Sequence, residues 1–258
     1  MIIAFFNPKG GSGKTTTAVN VAAVLARSGR RVLLVDLEVD LNASISLGLD
    51  PSRGRPSIFE VLLRDERAPE AVREVTSVPN LFLVSGSRAL TRLDAALRNV
   101  RQPERRLADA IRPLASQFDV IVLDSPAGYS LMAQSVPLAA DHLVVPMRAH
   151  YLALESLAQF LRWYHDQRIA RRATADMAGV LLTMVDYRLQ ATREIIEIIR
   201  AHNGRGVLRT EIPLDPRAAE APSHGIALVD YAPRTRASQA YQRLARELLQ
   251  RLTAPRRR

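Results

Sequence analysis

Short apolar segments recur along the chain without alternation between polar and apolar positions. They occupy residues 2–6, 31–36, 81–85, 119–124, 142–147 and 179–185. Uninterrupted apolar runs of this length are typical of parallel strands that helices cover on both faces. Between these runs, apolar residues recur at helical spacing. The predicted helices span 15–28, 104–116, 151–172, 190–202 and 238–253.

The alternation of strand and helix predicts the fold. It indicates a single-domain α/β protein with a doubly wound, mostly parallel sheet and right-handed crossovers. We expect the domain to cover residues 1–253 and the last five residues, 254–258, to form a disordered basic tail. No apolar run approaches the roughly 20 residues of a membrane span, so we expect a cytoplasmic protein.

A glycine-rich stretch lies between the first predicted strand and the first predicted helix. It reads FFNPKGGSGKTTT, residues 5–17. The usual phosphate-binding spacing requires glycine where Pro8 stands, and a dinucleotide loop requires glycine where Thr16 stands. The order of strand, turn and helix nevertheless favours a nucleotide site over a turn without a ligand. The predicted nucleotide contacts come from Gly10, Gly11, Ser12, Gly13, Lys14, Thr15 and Thr16.

The residue types in this stretch suit phosphate chemistry. Glycines allow backbone N–H groups to turn toward phosphate oxygens, and the following helix directs its N-terminal dipole at the same anion. We expect Lys14 to supply a mobile charge to the terminal phosphates and Thr15 to offer its hydroxyl to Mg²⁺.

Acidic residues end two of the predicted strands. Asp36 closes VLLVD and Asp124 closes VIVLD. A single strand-end acid is more often a helix cap or a surface charge. Two such acids beside one phosphate loop favour a metal site, and we predict Mg²⁺ ligands at Thr15, Asp36 and Asp124.

Charge and composition add a candidate partner. The chain has 258 residues, a net charge of +10, no cysteine, and 36 Lys plus Arg. Only Lys9 and Lys14 are lysines, and residues 151–258 hold 18 basic against 11 acidic residues. A basic excess of this kind favours a polyanionic partner, whereas a genome-wide preference for arginine codons is the simpler alternative.

Several motifs resemble those of one family, the ParA/MinD ATPases, and most closely its ParA (Soj-like) branch. KGGSGKTT is similar to the deviant Walker A box of these proteins, in which a lysine is the signature and the first glycine is not required. VDLEVDLNAS, DVIVLDSPAG, VVPMRAHYLALESL, GVLLTMVDYR, IPLDPRAAEAPSHG and YAPRTRASQAYQRLARELL resemble further motifs in family order. The resemblance covers nearly the whole chain and implies a P-loop NTPase that hydrolyses ATP with Mg²⁺.

The resemblance also implies roles for individual residues. Lys9 matches the signature lysine, which in the family reaches the partner subunit's nucleotide. By the same resemblance, we count four residues as catalytic: Lys9, Lys14, Asp36 and Glu38. Glu38 stands where the family has an aspartate that orients the attacking water, and Asp40 is the alternative candidate for that role. Further nucleotide contacts are implied for Asp124, Thr183, Asp186, Arg188 and Pro213.

The family relationship further implies the partners. We expect an ATP-bound homodimer that binds DNA without sequence preference, associates with the nucleoid, and positions a plasmid, a chromosome or another large cargo. Hydrolysis is expected to be slow until a ParB-like or other adaptor stimulates it. The candidate DNA contacts are Arg188, Arg193, Arg217, Arg234, Arg236 and Arg243. Arg188 has a competing role beside the nucleotide base.

Two alternatives remain within the same fold. A MinD-like protein would cycle on a membrane, but the chain from Gln242 onward has no aromatic residue to anchor a terminal helix. We therefore expect no membrane partner. An enzyme such as the nitrogenase iron protein would need an Fe–S cluster, and the absence of cysteine excludes that cluster.

Overall fold

The structure is a computed structural model that describes residues 1–50, 56–64, 67–151, 153–170 and 173–253. The predicted tail, residues 254–258, lies outside the described residues, as do the last two residues of the helix predicted over 151–172.

Seven strands form one sheet in the order β3-β4-β2-β5-β1-β6-β7. The strands are β1 (Ile2–Phe5), β2 (Val32–Asp36), β3 (Arg73–Glu74), β4 (Leu81–Val84), β5 (Val120–Asp124), β6 (His142–Arg148) and β7 (Asp176–Thr183). All pairs are parallel except β3 with β4, so the predicted mostly parallel sheet is confirmed. The two-residue edge strand β3 was not predicted, because two residues carry too little pattern to recognise.

Twelve helices flank the sheet within the described residues. They are α1 (Lys14–Arg27), α2 (Asn42–Ser46), α3 (Ile58–Leu63), α4 (Ala68–Ala71), α5 (Leu93–Ala96), α6 (Arg106–Ile111), α7 (Leu131–Ala139), α8 (Ala153–Ile169), α9 (Gln190–Asn203), α10 (Arg217–Glu220), α11 (Leu228–Tyr231) and α12 (Arg236–Thr253). The helix predicted over 104–116 is shorter, because tight 3₁₀ turns flank α6 and Pro113 lies in the second of them. Helix α7 was not predicted, and Pro137 lies inside it.

Two apolar cores lie on opposite faces of the sheet. Side chains of α1 and α12 pack with one face, and those of α6, α7, α8 and α9 pack with the other. On the second face, Trp163 of α8 stacks on Phe6 with ring centroids 5.2 Å apart. This contact agrees with the packing role that the mid-helix position of Trp163 suggests, and it supports the start of the glycine-rich stretch.

A close backbone contact joins two distant segments. Gly225 has a φ of +67°, and a Cβ placed on it would lie 2.8 Å from the Cα of Gly48. Gly48 follows α2, and Gly225 ends the motif APSHG. Backbone atoms on both sides leave no flexible side chain to move aside, so this position requires glycine.

We expect Gly225→Ala to lower the free energy of unfolding by at least about 2 kcal/mol, because left-handed backbone and a steric clash both oppose the methyl group. Gly29→Ala is the matched control: its φ is +88°, but a Cβ there meets nothing within 4 Å. It should cost about 1 kcal/mol. Urea denaturation measures both, and equal losses would show that the contact with Gly48 is unimportant.

Candidate nucleotide site

The glycine-rich loop lies at the carboxyl end of β1 and turns directly into α1. Gly11 and Gly13 have left-handed φ angles of +69° and +84°, and Gly13 immediately precedes α1. A Cβ on Gly10 or Gly11 would meet nothing within 4 Å, so these two glycines face open space. The loop therefore offers bare backbone beside a helix N-terminus, which is the arrangement that binds phosphate.

Three neighbouring strands hold this loop from behind. After β5, the N–H of Gly128 donates to the carbonyl of Pro8 at 2.8 Å. From β6, the carbonyl of Pro146 accepts a hydrogen bond from Asn7 Nδ2 at 2.7 Å. At the end of β7, Thr183 Oγ1 donates to the carbonyl of Ser12 at 2.9 Å. The loop conformation is thus fixed by the protein itself.

The two lysines occupy different environments. Lys14 is 5% exposed, and burial lowers the pKa of its ammonium, while the nearby carboxyl groups of Glu38 and Asp124 oppose that change. Lys9 is exposed. The Nζ of Lys14 lies 3.5 Å from the Lys9 carbonyl, inside the curve of the loop. Lys14 is therefore placed to contact a bound phosphate, whereas the exposed Lys9 is placed to contact a group outside its own loop.

Asp36 and Asp124 stand side by side in the sheet, paired between β2 and β5. Both side chains are fully buried, but only Asp36 is satisfied. It accepts hydrogen bonds from the N–H of Glu38 at 3.0 Å, and from the N–H and hydroxyl of Ser44 at 2.9 and 2.7 Å. Burial raises the pKa of Asp36, and these hydrogen bonds oppose the rise. Asp36 thereby fixes the turn between β2 and α2.

Asp124 is buried without such support. Neither of its carboxylate oxygens accepts a hydrogen bond of ordinary geometry. Burial raises its pKa well above the usual range, the Asp36 charge adds to the rise, and the nearby hydroxyl of Thr15 opposes it. An unpartnered buried carboxylate beside a hydroxyl fits a hard cation such as Mg²⁺. Thr15 and Asp124 would therefore hold the metal, with Asp36 acting behind them.

Glu38 lies at the mouth of the site, half-buried. Burial raises the pKa of its carboxyl, the ammonium of Lys14 opposes the rise, and the N–H of Ala127 is close enough to oppose it too. Asp40, the alternative candidate, is exposed. Of these two candidates, Glu38 is therefore the one whose carboxyl acts on the ammonium of Lys14.

Gly86 and Ser44 belong to the same region and were missed from the sequence. A Cβ on Gly86 would lie 2.6 Å from the Glu38 carbonyl and 3.0 Å from Asp36 Cγ. The N–H of Gly86 also donates to the hydroxyl of Ser44 at 3.3 Å. In the sequence, the only sign of this packing was the tripeptide SGS, residues 85–87, at the end of a predicted strand. This composition is common in turns.

The remaining nucleotide contacts that the resemblance implies divide into two groups. Thr183 is buried beneath the loop, where its hydroxyl supports Ser12. Asp186, Arg188 and Pro213 line a cavity of about 780 Å³ that starts just beyond β7. Arg188 donates two hydrogen bonds to Asp186, at 2.8 and 2.7 Å, and lowers its pKa to about 2. The second group, unlike Thr183, faces space large enough for a ligand.

The arginines expected to bind DNA also fall into two groups, those that line the cavity and those that do not. Arg188, Arg217, Arg234 and Arg236 line the same cavity, although they come from three separate segments. Arg193 donates to the Tyr187 carbonyl at 2.5 Å, and Arg243 lies on the exposed face of α12. Neither residue lines the cavity.

The fold and these residues together define a P-loop nucleotide-binding protein. A family model described as AAA domain (AAA_31) matches residues 1–176. The chromosome partitioning protein ParA of Myxococcus xanthus is 36% identical over 259 residues, covering 100% of this chain and 91% of that one. The sporulation initiation inhibitor protein Soj of Bacillus subtilis is 34% identical, covering 96% and 97%. The chain belongs to the ParA/Soj family of chromosome-partitioning P-loop ATPases.

Solved structures agree on the fold and the cofactors. One is described as cobyrinic acid a,c-diamide synthase from Mycobacterium smegmatis with bound ADP and magnesium. It is 28% identical with a TM-score of 0.84, covering 98% of this chain and 95% of that one. The cell division ATPase MinD of Pyrococcus furiosus is 26% identical with a TM-score of 0.76, covering 96% and 98%. A second structure of the same synthase holds an ATP analogue and magnesium. These ligands are of the kind that the sequence predicts for this chain, ATP and Mg²⁺.

We expect isosteric changes at the two strand-end acids to have opposite effects on stability without nucleotide. Asp124→Asn removes a buried, unpartnered carboxyl and should raise the melting temperature. Asp36→Asn weakens three accepted hydrogen bonds and should lower it. Asp124→Asn should also weaken Mg²⁺-dependent ATP binding by at least about tenfold. Thermal unfolding and ATP titration with and without Mg²⁺ measure these effects, and unchanged Mg²⁺ dependence would exclude Asp124 as a ligand.

Proposed function

We propose that this protein is an ATP-dependent dimerisation switch that binds DNA without sequence preference and positions a plasmid, a chromosome or another large cargo. Two subunits enclose two ATP molecules, and the dimer binds nucleoid DNA in the cytoplasm. Hydrolysis is slow in the protein alone, and a ParB-like or other adaptor stimulates it and releases the dimer. The family membership supports this cycle, and the described residues supply its parts.

The residues of the site divide the work of ATP hydrolysis. The loop backbone and Lys14 hold the phosphates. Thr15 and Asp124 would hold Mg²⁺, which would supply positive charge to offset the charge that develops on the phosphates. The carboxylate of Glu38 orients the attacking water from the mouth of the site. Positioning dominates phosphoryl transfer, so the longer Glu side chain in place of the family's Asp is consistent with slow intrinsic turnover.

The observation that carries the DNA-binding proposal is the grouping of four arginines around one cavity. Two of them, Arg188 and Arg217, pair with Asp186 and Asp215 at 2.7 and 3.0 Å. The four positive charges thus face two negative ones, which leaves a net positive surface beside the nucleotide loop. Contacts of this kind are made to phosphates rather than base edges, so binding should be independent of sequence and sensitive to salt.

Lys9 supplies the test of the dimer. We expect Lys9→Ala to weaken ATP-dependent dimerisation strongly, so that dimers form only at high protein concentration, while ATP binding by the monomer stays nearly unchanged, because the Lys9 ammonium lies beside His150 and not in its own loop. Lys9→Arg should restore dimerisation only in part, since the planar guanidinium differs from an ammonium in size and shape. Light scattering at saturating ATP measures both. Full dimerisation of Lys9→Ala would contradict the role of Lys9 across the interface.

We expect the cavity arginines to contribute to DNA binding one by one. In the ATP-bound protein, Arg217→Ala or Arg236→Ala should weaken binding of any duplex and lower the salt slope by about one unit each. Arg112→Ala is the control, because Arg112 pairs with Asp141 at the opposite end of the strands. Fluorescence polarisation at several salt concentrations measures this. No binding of wild-type protein at low salt would exclude the DNA proposal.

We also expect Glu38→Ala to slow single-turnover ATP hydrolysis by at least about tenfold with little effect on ATP affinity, because the residue acts by orienting water. Asp40→Ala should have a much smaller effect, since Asp40 is exposed. Quenched-flow measurements separate the two variants. A larger loss in Asp40→Ala would transfer the role to that residue.

A MinD-like membrane cycle is the alternative, and MinD structures share the fold. The described part of α12 gives it little support, because Leu244 and Leu248 are buried and Leu249 and Leu252 pack against the core. Within the described ranges, no helix combines the length and the hydropathy of a membrane span, a finding that does not bear on peripheral attachment. Sedimentation with anionic vesicles in the presence of ATP distinguishes this cycle from DNA binding.

A further inference from the structure

Asn7 is a buried polar residue that the nucleotide chemistry does not use. It lies between β1 and the first glycine of the loop, and only 5% of it is exposed. Both halves of its side-chain amide are engaged. Nδ2 donates to the Pro146 carbonyl at 2.7 Å, and Oδ1 accepts from the N–H of Lys9 at 2.9 Å. A single side chain therefore fastens the backbone at Lys9 to the end of β6.

These two bonds hold the N–H end of the peptide between Pro8 and Lys9, and the N–H of Gly128 holds its carbonyl end at 2.8 Å. The next peptide carries the carbonyl of Lys9, which lies 3.5 Å from the ammonium of Lys14. The side chain of Lys9 extends in another direction. There its Nζ lies 3.3 Å from Nε2 of His150, in the connection between β6 and α8. The two loop lysines thus point apart.

We propose that Asn7 is a positioning residue that sets the backbone at Lys9, so that the Lys9 side chain faces a second subunit instead of its own phosphate loop. The inference rests on the proposed function, in which Lys9 acts across the dimer interface. Asn7 itself touches no nucleotide in this scheme. It acts only through Lys9.

The geometry separates this role from general support of the loop. The carbonyl groups of Pro8 and Ser12 are held by Gly128 and Thr183, and neither bond involves Asn7. When Asn7 is shortened, one of the three supports of the loop is lost, but the phosphate-binding backbone from Gly10 onward keeps its own support, the bond from Thr183 to Ser12. The expected loss is confined to what Lys9 does.

The experiment is a double-mutant cycle between Asn7→Ala and Lys9→Ala, with ATP affinity of the monomer and ATP-dependent dimerisation as separate readouts. We expect Asn7→Ala to change ATP affinity by less than about threefold and to weaken dimerisation by at least about tenfold. In the Lys9→Ala background, the same change should add less than about twofold, because residues that act as one unit are not additive. Asn203→Ala is the matched control, since its Nδ2 also donates to a backbone carbonyl, that of Ile199 in α9.

A conservative variant adds a second check. Asn7→Asp keeps an oxygen that accepts from the N–H of Lys9 but loses the donor to Pro146. Dimerisation should be weakened, because both contacts are needed to transmit the position of β6 to Lys9. Wild-type dimerisation by both Asn7 variants would overturn the inference.

The remaining outcomes are also decisive. Equal losses from Asn7→Ala with and without Lys9 would mean that Asn7 acts independently of Lys9, which overturns the inference alone. Parallel loss of ATP affinity and dimerisation would assign Asn7 to folding of the loop and also overturn it. Full dimerisation of Lys9→Ala would instead remove the proposed function, and the inference with it.

Discussion

The site depends on a phosphate loop that is held in place by its neighbours. Backbone N–H groups that are reserved for a phosphate cannot form hydrogen bonds within the loop. Other groups must therefore fix the loop conformation. Here three residues each make one hydrogen bond to the loop: Gly128 after β5, Pro146 in β6 and Thr183 at the end of β7. The parallel sheet brings these strand ends to one edge, and the loop conformation follows from that arrangement.

Two aspartates with the same place in their strands have different surroundings. Asp36 is surrounded by donors from its own turn, whereas Asp124 has none of ordinary geometry. Burial opposes the charge of both, so a satisfied Asp36 costs less free energy than a bare Asp124. A cation bound at Asp124 would offset the free energy that burying this carboxylate costs. Ser44 and Gly86, which pack around Asp36, keep the two environments distinct.

The sequence predicted the sheet, the loop and the strand-end acids because each of these has a strong local pattern. Runs such as VLLVD and the spacing of Gly10, Gly11 and Gly13 need no tertiary information. The division of labour between Asp36 and Asp124 could not be predicted, because the donors from Ser44 are set by the fold. Thr183 was expected to contact the nucleotide because its motif resembles one of the family, and only the structure places its hydroxyl beneath the loop. The gathering of four distant arginines around one cavity likewise needed the three-dimensional arrangement.

The contact between Gly48 and Gly225 has a mechanical consequence. Gly48 ends the segment that Asp36 and Ser44 fix beside the nucleotide, and Gly225 lies in the stretch between Arg217 and Arg234. Because each glycine lies against backbone atoms of the other, a side chain at either position would force the two segments apart. The spacing between the turn after β2 and the stretch that carries the arginines is therefore set by two residues that have no side chain.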